Sequence, residues 1–573
     1  MKVEKLVRRR VALLLFLGFL GLYGCFASGR LRLPDEQEVY FQAESLVERG
    51  ELAVPQAVQH NVFFGKRGFD GKAYAPYGPG TAFFVLPHYA AARGVAGALQ
   101  EGAPNLGVTF YLTGLLTSFA TAFYSALAVA LMWLVCLELG ASASRALLVS
   151  LALGLGTVVF SYATLFFSEG VQIAFLLATL LALLRGRMTL AGCALAGAVL
   201  CKAPTVLLAP GFAAVAYFGR YGERPSFQRV QHLAWPVVAA AVIHLGWNGY
   251  RFGNPFDFGY DWSETMPPGV VAEGFSGDYW RGLVGLTLSP GKGLLFFAPP
   301  VVLGVLAWGE CYARQRPTAI AIAIMTLISF LFWPHYVFWA GGYCVGPRQI
   351  LPLIPFLLLP ACFVNSGRVL VALTVAGALL QLLCVTTPFL QDQSFGPRRL
   401  PALEKAWEAK RALKEGRLEE SERLVRDSLR IEPTAEAYRV AEQSAPPERL
   451  PELQAERAHV TPPWYGYYYE ILEEPPQGQP RNRYNLGYVP WITLSKRLVA
   501  GIRAGPAQGR PGEGLENWYL FTKKLRASGL FKDVRSFEGA LLGLFLLLSG
   551  VSLGLVIRAK PWGDAGSGVS SAQ

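Results

Sequence analysis

The chain has 573 residues, of which 53% are hydrophobic and only 16% are charged, and its mean hydropathy is +0.33. Soluble domains carry about 25% charged residues, so the composition excludes an ordinary soluble protein and predicts an all-α polytopic membrane protein. The net charge of +12 does not indicate nucleic-acid binding, because many basic residues lie in short loops between apolar runs and no basic arm is interleaved with aromatic residues.

The N-terminus has a basic head and an apolar core up to about residue 27. Cleaved signal peptides and uncleaved anchors share this pattern, and the small residues at 27–29 would suit cleavage. We favour the anchor, because further apolar runs follow and the acidic pair after it, Asp35 and Glu36, needs a membrane to lie against. The eight cysteines show no CxxC spacing, so the sequence predicts no disulfide framework.

Apolar runs of about the length that spans a bilayer recur along the chain. They predict about twelve membrane-spanning helices, near 11–27, 108–137, 146–166, 170–184, 188–202, 204–219, 233–248, 293–309, 317–333, 349–365, 369–388 and 538–557.

Positive charges orient these spans, because short cytoplasmic loops are enriched in Lys and Arg. If the basic N-terminus is cytoplasmic, every short cytoplasmic connection carries a positive charge. These charges are Arg145, Arg185, Arg187, Arg220, Arg224, Arg229, Arg314, Arg316, Arg368, Arg558 and Lys560. The loops 28–107 and 249–292 and the tail 389–537 then face outward from the cell membrane, and both termini are cytoplasmic.

The first outer loop, 28–107, contains two predicted surface helices. The segment Glu36–Gly50 has one apolar stripe at helical spacing, formed by Val39, Tyr40, Ala43, Leu46 and Val47. With polar residues opposite, this helix should lie along the membrane interface. Residues 82–99 predict a second surface or re-entrant helix, since Pro87 and two polar residues interrupt the apolar run.

The outward-facing tail, 391–537, is predicted to be a separate, mainly helical soluble unit before the last span and the cytoplasmic C-terminus, 538–573. It contains a helical hairpin with Gly416 at the turn. The spacing of Ser421, Val425, Ser428 and Pro433 is typical of a single tetratricopeptide-like repeat, which must pack on other parts of the protein. The aromatic run at 461–476 could stack on a sugar, but an interface belt or a domain core is the favoured interpretation.

The acidic pair at the outer end of the first span has two interpretations. Asp35 could be a general base for an acceptor hydroxyl, since partial desolvation raises the proton affinity of a carboxylate. Alternatively, Asp35 caps the helix after Pro34 and Glu36 stabilises the N-terminal dipole. Spacing alone favours the second interpretation.

Further polar residues converge on the same predicted outer face, and this convergence favours chemistry. Glu169 lies at the end of a span, where a carboxylate is costly unless it is solvated or paired. Arg348 follows a Gly-rich turn and suits bidentate phosphate binding. The other candidates are basic or lie in turn-rich segments: Lys72, Lys202, Lys292, Tyr74, Tyr77, Pro79, Gly80, Asn248, Arg251 and Asp257. Each alone suits a structural role, such as snorkelling for Lys202.

These motifs together resemble the GT-C glycosyltransferases, and within them the group that contains protein O-mannosyltransferases and the lipid A aminoarabinose transferase. "DEQEVYFQAESL" resembles their Asp-Glu-x₃-Tyr element, and "YGPG" resembles their Tyr-Pro-Pro-Gly turn. "SEGVQIAF", "CKAP" and "WAGGYCVGPR" resemble weaker elements of the family. The resemblance covers about residues 1–390 and leaves out the tail. Gly78 replaces the first proline of the turn, which predicts a looser loop.

The resemblance implies a GT-C-like bundle that transfers a sugar, with inversion, from a polyprenyl-phosphate carrier on the outer face. Asp35 would be the base, and Glu36 or Glu169 would orient the acceptor or donor. Lys72, Arg348, Lys292 and Lys202 would stabilise the leaving phosphate. The partners implied are the lipid-linked donor, the bilayer and a glycan, lipid or protein acceptor; a divalent cation is left open as a cofactor.

Two other functions stay open at this stage. A transporter or flippase of lipid-linked intermediates would usually carry charges in mid-membrane and inverted repeats, whereas the candidate charges lie at span ends. A non-catalytic scaffold of envelope assembly would use the helical hairpin of the tail as its working part.

Overall fold

The computed structural model describes the following residues: 2–29, 31, 34–59, 65–99, 106–219, 223–259, 274, 275, 277–289, 291–336, 338–341, 344–364, 367–386, 399–431, 433, 435–460 and 535–558. The helices before the tail are α1 (Lys2–Phe26), α2 (Pro34–Glu48), α3 (Pro55–Gln59), α4 (Pro79–Ala98), α5 (Leu106–Glu138), α6 (Ala143–Gly156), α7 (Val159–Ala163), α8 (Glu169–Leu184), α9 (Met188–Cys201), α10 (Ala209–Phe218), α11 (Phe227–Phe252), α12 (Tyr279–Thr287), α13 (Leu294–Phe297), α14 (Val301–Leu306), α15 (Trp308–Arg314), α16 (Arg316–Phe332), α17 (Ile354–Leu358) and α18 (Gly367–Thr386).

The tail contributes α19 (Arg399–Lys414), α20 (Leu418–Ile431), α21 (Ala435–Ser444) and α22 (Leu450–Val460), and α23 (Arg535–Arg558) follows. Short 3-10 helices cover Ala203–Leu208, Trp333–His335, Arg348–Leu353, Leu359–Phe363 and Pro447–Arg449. The described strands, β1 (Lys66–Arg67) and β2 (Ala73–Tyr74), pair antiparallel in the first outer loop, with Lys66 opposite Tyr74.

Among the described residues, six helices are long and apolar enough to cross a membrane: Leu6–Phe26, Thr109–Glu138, Phe227–Phe252, Arg316–His335, Gly367–Thr386 and Phe537–Arg558. These confirm, by length and composition, the prediction of a helical membrane protein. The remaining predicted spans coincide with apolar helices that are shorter or interrupted, such as Glu169–Leu184 and Met188–Cys201. A total of about twelve spans therefore stays a prediction.

Two predicted spans are interrupted for identifiable reasons. The helix of 146–166 breaks after Gly156, where the Thr157 hydroxyl donates to the Leu153 carbonyl oxygen at 2.6 Å. The segment Arg348–Phe363 alternates between 3-10 and α geometry, because its prolines remove backbone N–H donors from the helical ladder. The second irregular segment begins at Arg348, which the sequence predicted to be functional.

The first and the last described helices pack closely together, since α1 presents glycines to α23. An added Cβ at Gly21 would lie 2.5 Å from the Phe545 carbonyl oxygen and from the Ser549 amide nitrogen. A Cβ at Gly18 would lie 2.8 Å from the side chain of Leu553. This close approach fixes α1, and with it the start of the segment 28–107, against α23.

The first outer loop is more deeply packed than its sequence predicts. Helix α2 was expected to keep a polar face in water, but Gln37, Glu38 and Gln42 are buried together with the apolar stripe. The prediction of a polar face in water is therefore wrong for the first turns, because α4, which covers most of the predicted 82–99 helix, packs over α2.

The described part of the tail is a set of packed helices. The Ser421 hydroxyl donates to the Ala409 carbonyl oxygen at 2.8 Å, and that of Ser428 donates to the Ala402 carbonyl oxygen at 2.6 Å. Gly416 makes the turn with φ +76°. The hairpin α19–α20 therefore forms as predicted, and it buries its apolar face against α21. The aromatic run 461–476 lies outside the described residues.

Candidate active site

Asp35 lies in the first turn of α2, directly after Pro34, so the helix N-terminus favours its negative charge. Its Oδ2 accepts a hydrogen bond of 2.7 Å from Nη1 of Arg348, which is 313 residues away in the sequence. The ion pair is largely enclosed, with 20% of the Asp35 side chain and 12% of the Arg348 side chain exposed. Two residues that the sequence predicted to act together are therefore in direct contact.

Arg348 also binds a second predicted acidic residue. Its Nε donates to Oε1 of Glu169 at 2.9 Å, and the Glu169 side chain is fully buried at the first turn of α8. Nζ of Lys202 approaches the same oxygen at 3.2 Å and Oε1 of Gln349 at 3.4 Å. We call Asp35, Glu169, Lys202 and Arg348 the Arg348 cluster; two acids and two bases make its formal charge zero.

Aromatic side chains hold the two cations in place. The Arg348 guanidinium lies 4.1 Å from the centre of the Phe167 ring, and Nζ of Lys202 lies 5.9 Å from the centre of a Trp333 ring. Flat guanidinium groups stack well on aromatic faces, and such contacts are stronger where water is excluded. Sequence analysis missed Phe167, Trp333 and Gln349, although Gln349 directly follows Arg348 and Phe167 lies two residues before Glu169.

Glu36 does not belong to the Arg348 cluster by direct contact. Its buried Oε1 accepts from the backbone N–H of Phe166 at 2.7 Å. This bond ties the first turn of α2 to the segment that carries Phe167 and Glu169. The geometry thus supports a structural contact for Glu36, and a role in orienting substrate stays a prediction.

The turn with the sequence "YGPG" packs against the end of α9, just before Lys202. An added Cβ at Gly78 would overlap the Leu200 carbonyl oxygen and would lie 2.8 Å from Cε1 of His244. At Gly80, a Cβ would lie 2.5 Å from the Leu200 carbonyl carbon. The expectation that Gly78 loosens this loop is wrong, because the glycine permits a close backbone contact that no other residue would.

Two further candidate residues, Arg251 and Asn248, contact each other, and Arg251 contacts the turn. The fully buried Arg251 donates from Nη1 to the carbonyl oxygens of Ala75 and Tyr77, the latter at 3.3 Å, and from Nη2 to Oδ1 of Asn248 at 2.8 Å. Pro79 begins α4 and is buried. Arg251 and Asn248 therefore hold the backbone of the turn.

Lys72 forms a different ion pair in the structure. Its Nζ lies 3.1 Å from Oε2 of Glu51, and 55% of its side chain is exposed. The hydrogen bond from Lys72 lowers the pKa of Glu51. Nearby, the Tyr74 hydroxyl donates to Oδ2 of Asp70 at 2.8 Å, and Lys66 pairs with Asp257 at 2.6 Å. The structure thus joins Lys72 to Glu51 rather than to Arg348.

Lys292 is fully buried, and its Nζ donates to the Cys344 carbonyl oxygen at 2.6 Å and approaches the Cys344 Sγ at 3.1 Å. Burial is the main cause that lowers the pKa of Lys292 to about 8. The structure therefore places Lys292 against Cys344, in the loop that carries Arg348.

The residues of the Arg348 cluster do not fit a divalent cation. Glu169 Oε2 is buried and has no hydrogen-bond partner within the described part of the chain, but Arg348 lies between Asp35 and Glu169. The described residues also contain no group of three or more His, Cys, Asp or Glu side chains that could hold a metal ion.

Comparison with models of protein families finds no match, and comparison with curated proteins finds none either. Solved structures that are similar include ArnT from Cupriavidus metallidurans bound to undecaprenyl phosphate. The two sequences are 16% identical, the alignment covers 97% of this chain and 78% of that chain, and the TM-score is 0.35. An Archaeoglobus fulgidus oligosaccharyltransferase in complex with zinc and sulfate is 15% identical, and the alignment covers 69% of this chain and 55% of that chain, with a TM-score of 0.36.

A third similar structure is the archaeal oligosaccharyltransferase AglB from Archaeoglobus fulgidus, in complex with an inhibitory peptide and a dolichol-phosphate. It is 12% identical, and the alignment covers 86% of this chain and 64% of that chain, with a TM-score of 0.35. These scores are too low to establish a common fold or to assign a family. The contacts of the Arg348 cluster therefore carry the functional conclusion.

Proposed function

We propose that the protein is an inverting membrane glycosyltransferase that moves a sugar from a polyprenyl-phosphate carrier to a hydroxyl group on the outer face of the membrane. The contact of Asp35 with Arg348 carries this proposal, together with the bond from Arg348 to Glu169. A base and two cations from distant parts of the chain meet in one partly exposed cluster. Burying such charges is costly, so a partly exposed cluster of paired charges is a favoured place for chemistry.

Arg348 would bind the phosphate of the donor. Its guanidinium presents several N–H donors in a fixed fork that suits two phosphate oxygens. In the structure, Nη1 is taken by Asp35 and Nε by Glu169. A phosphate that binds two oxygens to Nη1 and Nη2 would replace Asp35 on Nη1, while Glu169 keeps its hold on Nε. This exchange leaves the Asp35 carboxylate available for the acceptor.

The chemical step then needs one proton transfer and one displacement. Asp35 takes the proton of the acceptor hydroxyl, and the acceptor oxygen forms a bond to the anomeric carbon of the sugar. The bond from that carbon to the phosphate oxygen breaks, and its electron pair stays on the phosphate. Attack opposite the leaving group inverts the anomeric centre. Arg348 and Lys202 stabilise the charge that develops on the phosphate.

Glu169 acts as a positioning residue in this scheme. Its Oε1 accepts from both Arg348 and Lys202, so a single buried carboxylate sets the distance between the two cations. Cations fixed in advance need no reorganisation when charge develops, which is the usual source of electrostatic stabilisation in enzymes.

The proposal also includes the orientation and the partners of the protein. The positive charges in short loops favour cytoplasmic termini and a catalytic cluster on the outer side of the cell membrane. The acceptor is a hydroxyl of a glycan, lipid or protein, and the donor is a sugar on a polyprenyl phosphate. Helices that are long and apolar enough to cross a membrane support a donor that is anchored in the bilayer.

The test uses the full chain in proteoliposomes with a panel of undecaprenyl-phosphate-linked hexoses and pentoses. The release of undecaprenyl phosphate and the fate of the sugar are measured. Asp35→Asn should fold and should lower turnover by about 10²- to 10⁴-fold, since it removes a general base. Glu51→Gln is the matched control, because Glu51 is a half-exposed carboxylate in the same loop that binds Lys72. Turnover by Asp35→Asn at the wild-type rate would refute the proposal.

A wild-type protein that carries the intact lipid-linked sugar across the bilayer without cleaving it would identify a transporter instead. Both outcomes are visible in the same vesicles, because cleavage yields free undecaprenyl phosphate and transport does not.

A further inference from the structure

The loop that presents Arg348 is folded around a buried thiol. We call Gly341 and Cys344–Arg348 the Arg348 loop. The Cys344 Sγ lies 3.1 Å from the Gly341 carbonyl oxygen, and the Arg348 N–H donates to the Gly346 carbonyl oxygen at 3.0 Å. Gly341 has φ +77°, and an added Cβ there would lie 2.8 Å from the Cβ of Arg348. The Arg348 side chain therefore leaves the loop directly over Gly341.

Lys292 supports the Arg348 loop through its contacts with Cys344. Its segment is a tight turn, in which the Gly293 N–H donates to the Ser289 carbonyl oxygen at 2.6 Å before α13 begins. The side chain is 1% exposed, and its Nζ ends on Cys344, 2.6 Å from the carbonyl oxygen and 3.1 Å from Sγ. Hydrogen bonds from an ammonium group are about twice as strong as neutral ones, and they are stronger still where water is excluded.

A second element holds the loop from another side. The Tyr162 hydroxyl of α7 donates to the Val345 carbonyl oxygen at 3.0 Å, and Tyr162 is buried. The carbonyls of two consecutive residues, Cys344 and Val345, are therefore fixed by side chains from separate parts of the chain. The backbone between these bonds and Arg348 is short, so a shift at Cys344 would move the guanidinium away from Asp35 and Glu169.

We propose that Lys292 is a positioning residue, which sets the affinity for the donor phosphate by fixing the Arg348 loop and makes no contact with the phosphate itself. This inference rests on the proposed function, in which Arg348 binds that phosphate. It replaces the sequence-based prediction that Lys292 is a phosphate ligand. The reason is that the ammonium is enclosed and already bound to Cys344, so a phosphate would have to displace a buried charge-assisted hydrogen bond to reach it.

A double-mutant cycle on the full chain in lipid nanodiscs tests the inference, with undecaprenyl phosphate as the probe. Lys292→Met should weaken binding by about 10- to 100-fold in the wild-type background, the range expected for losing a hydrogen bond to a charged group. In the Arg348→Gln background the same change should weaken binding by less than about threefold, because residues that act through one contact are not additive.

Controls separate positioning from general damage. Lys405→Met makes the same chemical change at a partly exposed lysine of the tail that pairs with Glu408, and it should leave binding unchanged. Lys292→Arg keeps charged N–H donors and should restore most of the affinity. Hydrogen exchange of the backbone amides at 344–350 should rise in Lys292→Met and stay unchanged in Lys405→Met. Should Lys292→Met fail to fold, Lys292→Gln takes its place in the cycle.

Two results would overturn the inference alone: equal losses for Lys292→Met in both backgrounds, which identify a direct phosphate ligand, or no loss in the wild-type background. Undiminished binding by Arg348→Gln would overturn the proposed function as well, since both proposals need Arg348 to hold the phosphate. The two failures are thus distinguishable in one data set.

Discussion

The Arg348 cluster and the turn around Lys72 are both built from acidic and basic residues of predicted motifs, but the structure treats them differently. Arg348 is 12% exposed and bridges Asp35 and Glu169 across the chain. Lys72 is 55% exposed and pairs with Glu51, 21 residues away, within the same loop. One pair belongs to a buried network and the other to a solvated surface.

The difference in burial indicates which of these charges can do chemistry. An exposed ion pair contributes about 0–1 kcal/mol, because water competes for both partners. Breaking a buried pair by removing one partner costs about 3–5 kcal/mol, because a charge is left without compensation. Keeping charges buried costs desolvation energy, so a buried network such as the Arg348 cluster is weak evidence for stability and favours a role in chemistry.

The largest expected effect is that of Arg348→Gln. The change removes the proposed phosphate ligand and leaves Asp35 and Glu169 without their shared guanidinium. We expect turnover to disappear and the free energy of unfolding to fall by about 3–5 kcal/mol. Thermal unfolding in detergent and release of undecaprenyl phosphate measure the two effects. Wild-type turnover would show that the buried network is only structural.

A smaller effect is expected at the turn that packs beside Lys202. Gly78→Ala would force a Cβ into the Leu200 carbonyl oxygen, and such overpacking costs about 1–3 kcal/mol. We expect a lower unfolding temperature and a partial loss of turnover as the end of α9 shifts. Gly97→Ala in α4 is the matched control, because nothing lies within 4 Å of its added Cβ. Equal stability of the two variants would contradict the close packing.

The effect of pH should be smaller again and should depend on Lys292. Its ammonium faces Cys344 and Arg348, and burial lowers its pKa to about 8. Above that pH it loses its charge, so undecaprenyl phosphate should bind a few-fold more weakly at pH 9 than at pH 7. Lys292→Arg should remove this dependence, since arginine stays protonated.

The lowered pKa of Lys292 affects the stability of the fold in the opposite direction from the binding of undecaprenyl phosphate. An unfolded lysine keeps its proton to a pKa of about 10.4, so between pH 8 and pH 10 the unfolded state holds more protons and this residue makes folding more favourable as the pH rises. Binding that weakens in parallel with stability would indicate general unfolding and not a change at Lys292.

The smallest effect is expected for Lys72→Ala. Because its pair with Glu51 is exposed, the free energy of unfolding should change by less than about 1 kcal/mol and turnover should stay within about twofold. A loss of turnover comparable with that of Arg348→Gln would erase the distinction between the two regions and return Lys72 to the active site.

Sequence patterns could predict the parts of this site that depend on topology. Charge-based orientation puts Asp35 and Arg348 at ends of spans on one face, and the structure brings them into contact. Sequence patterns could not predict the side-chain contacts that depend on burial. Whether Lys292 reaches a phosphate or Cys344 is decided by the fold of the Arg348 loop, and the partner of Lys72 is decided by the position of Glu51.

The fold shows the same division. Hydrophobic periodicity predicts the long spans and the hairpin α19–α20, because these depend on local sequence. It does not predict the burial of Gln37 and Gln42, which depends on the packing of α4 over α2. The close contact at Gly78 likewise depends on α9, so the sequence alone suggested a loose turn.

The affinity of Asp35→Asn for undecaprenyl phosphate tests most directly whether base and phosphate share Arg348. Asparagine removes the charge that competes for Nη1, so this variant should bind the lipid phosphate at least about threefold more tightly than the wild type while it fails to cleave lipid-linked sugars. Glu51→Gln should match the wild type in both respects. Weaker binding by Asp35→Asn, or unchanged binding with full cleavage, would contradict a shared site.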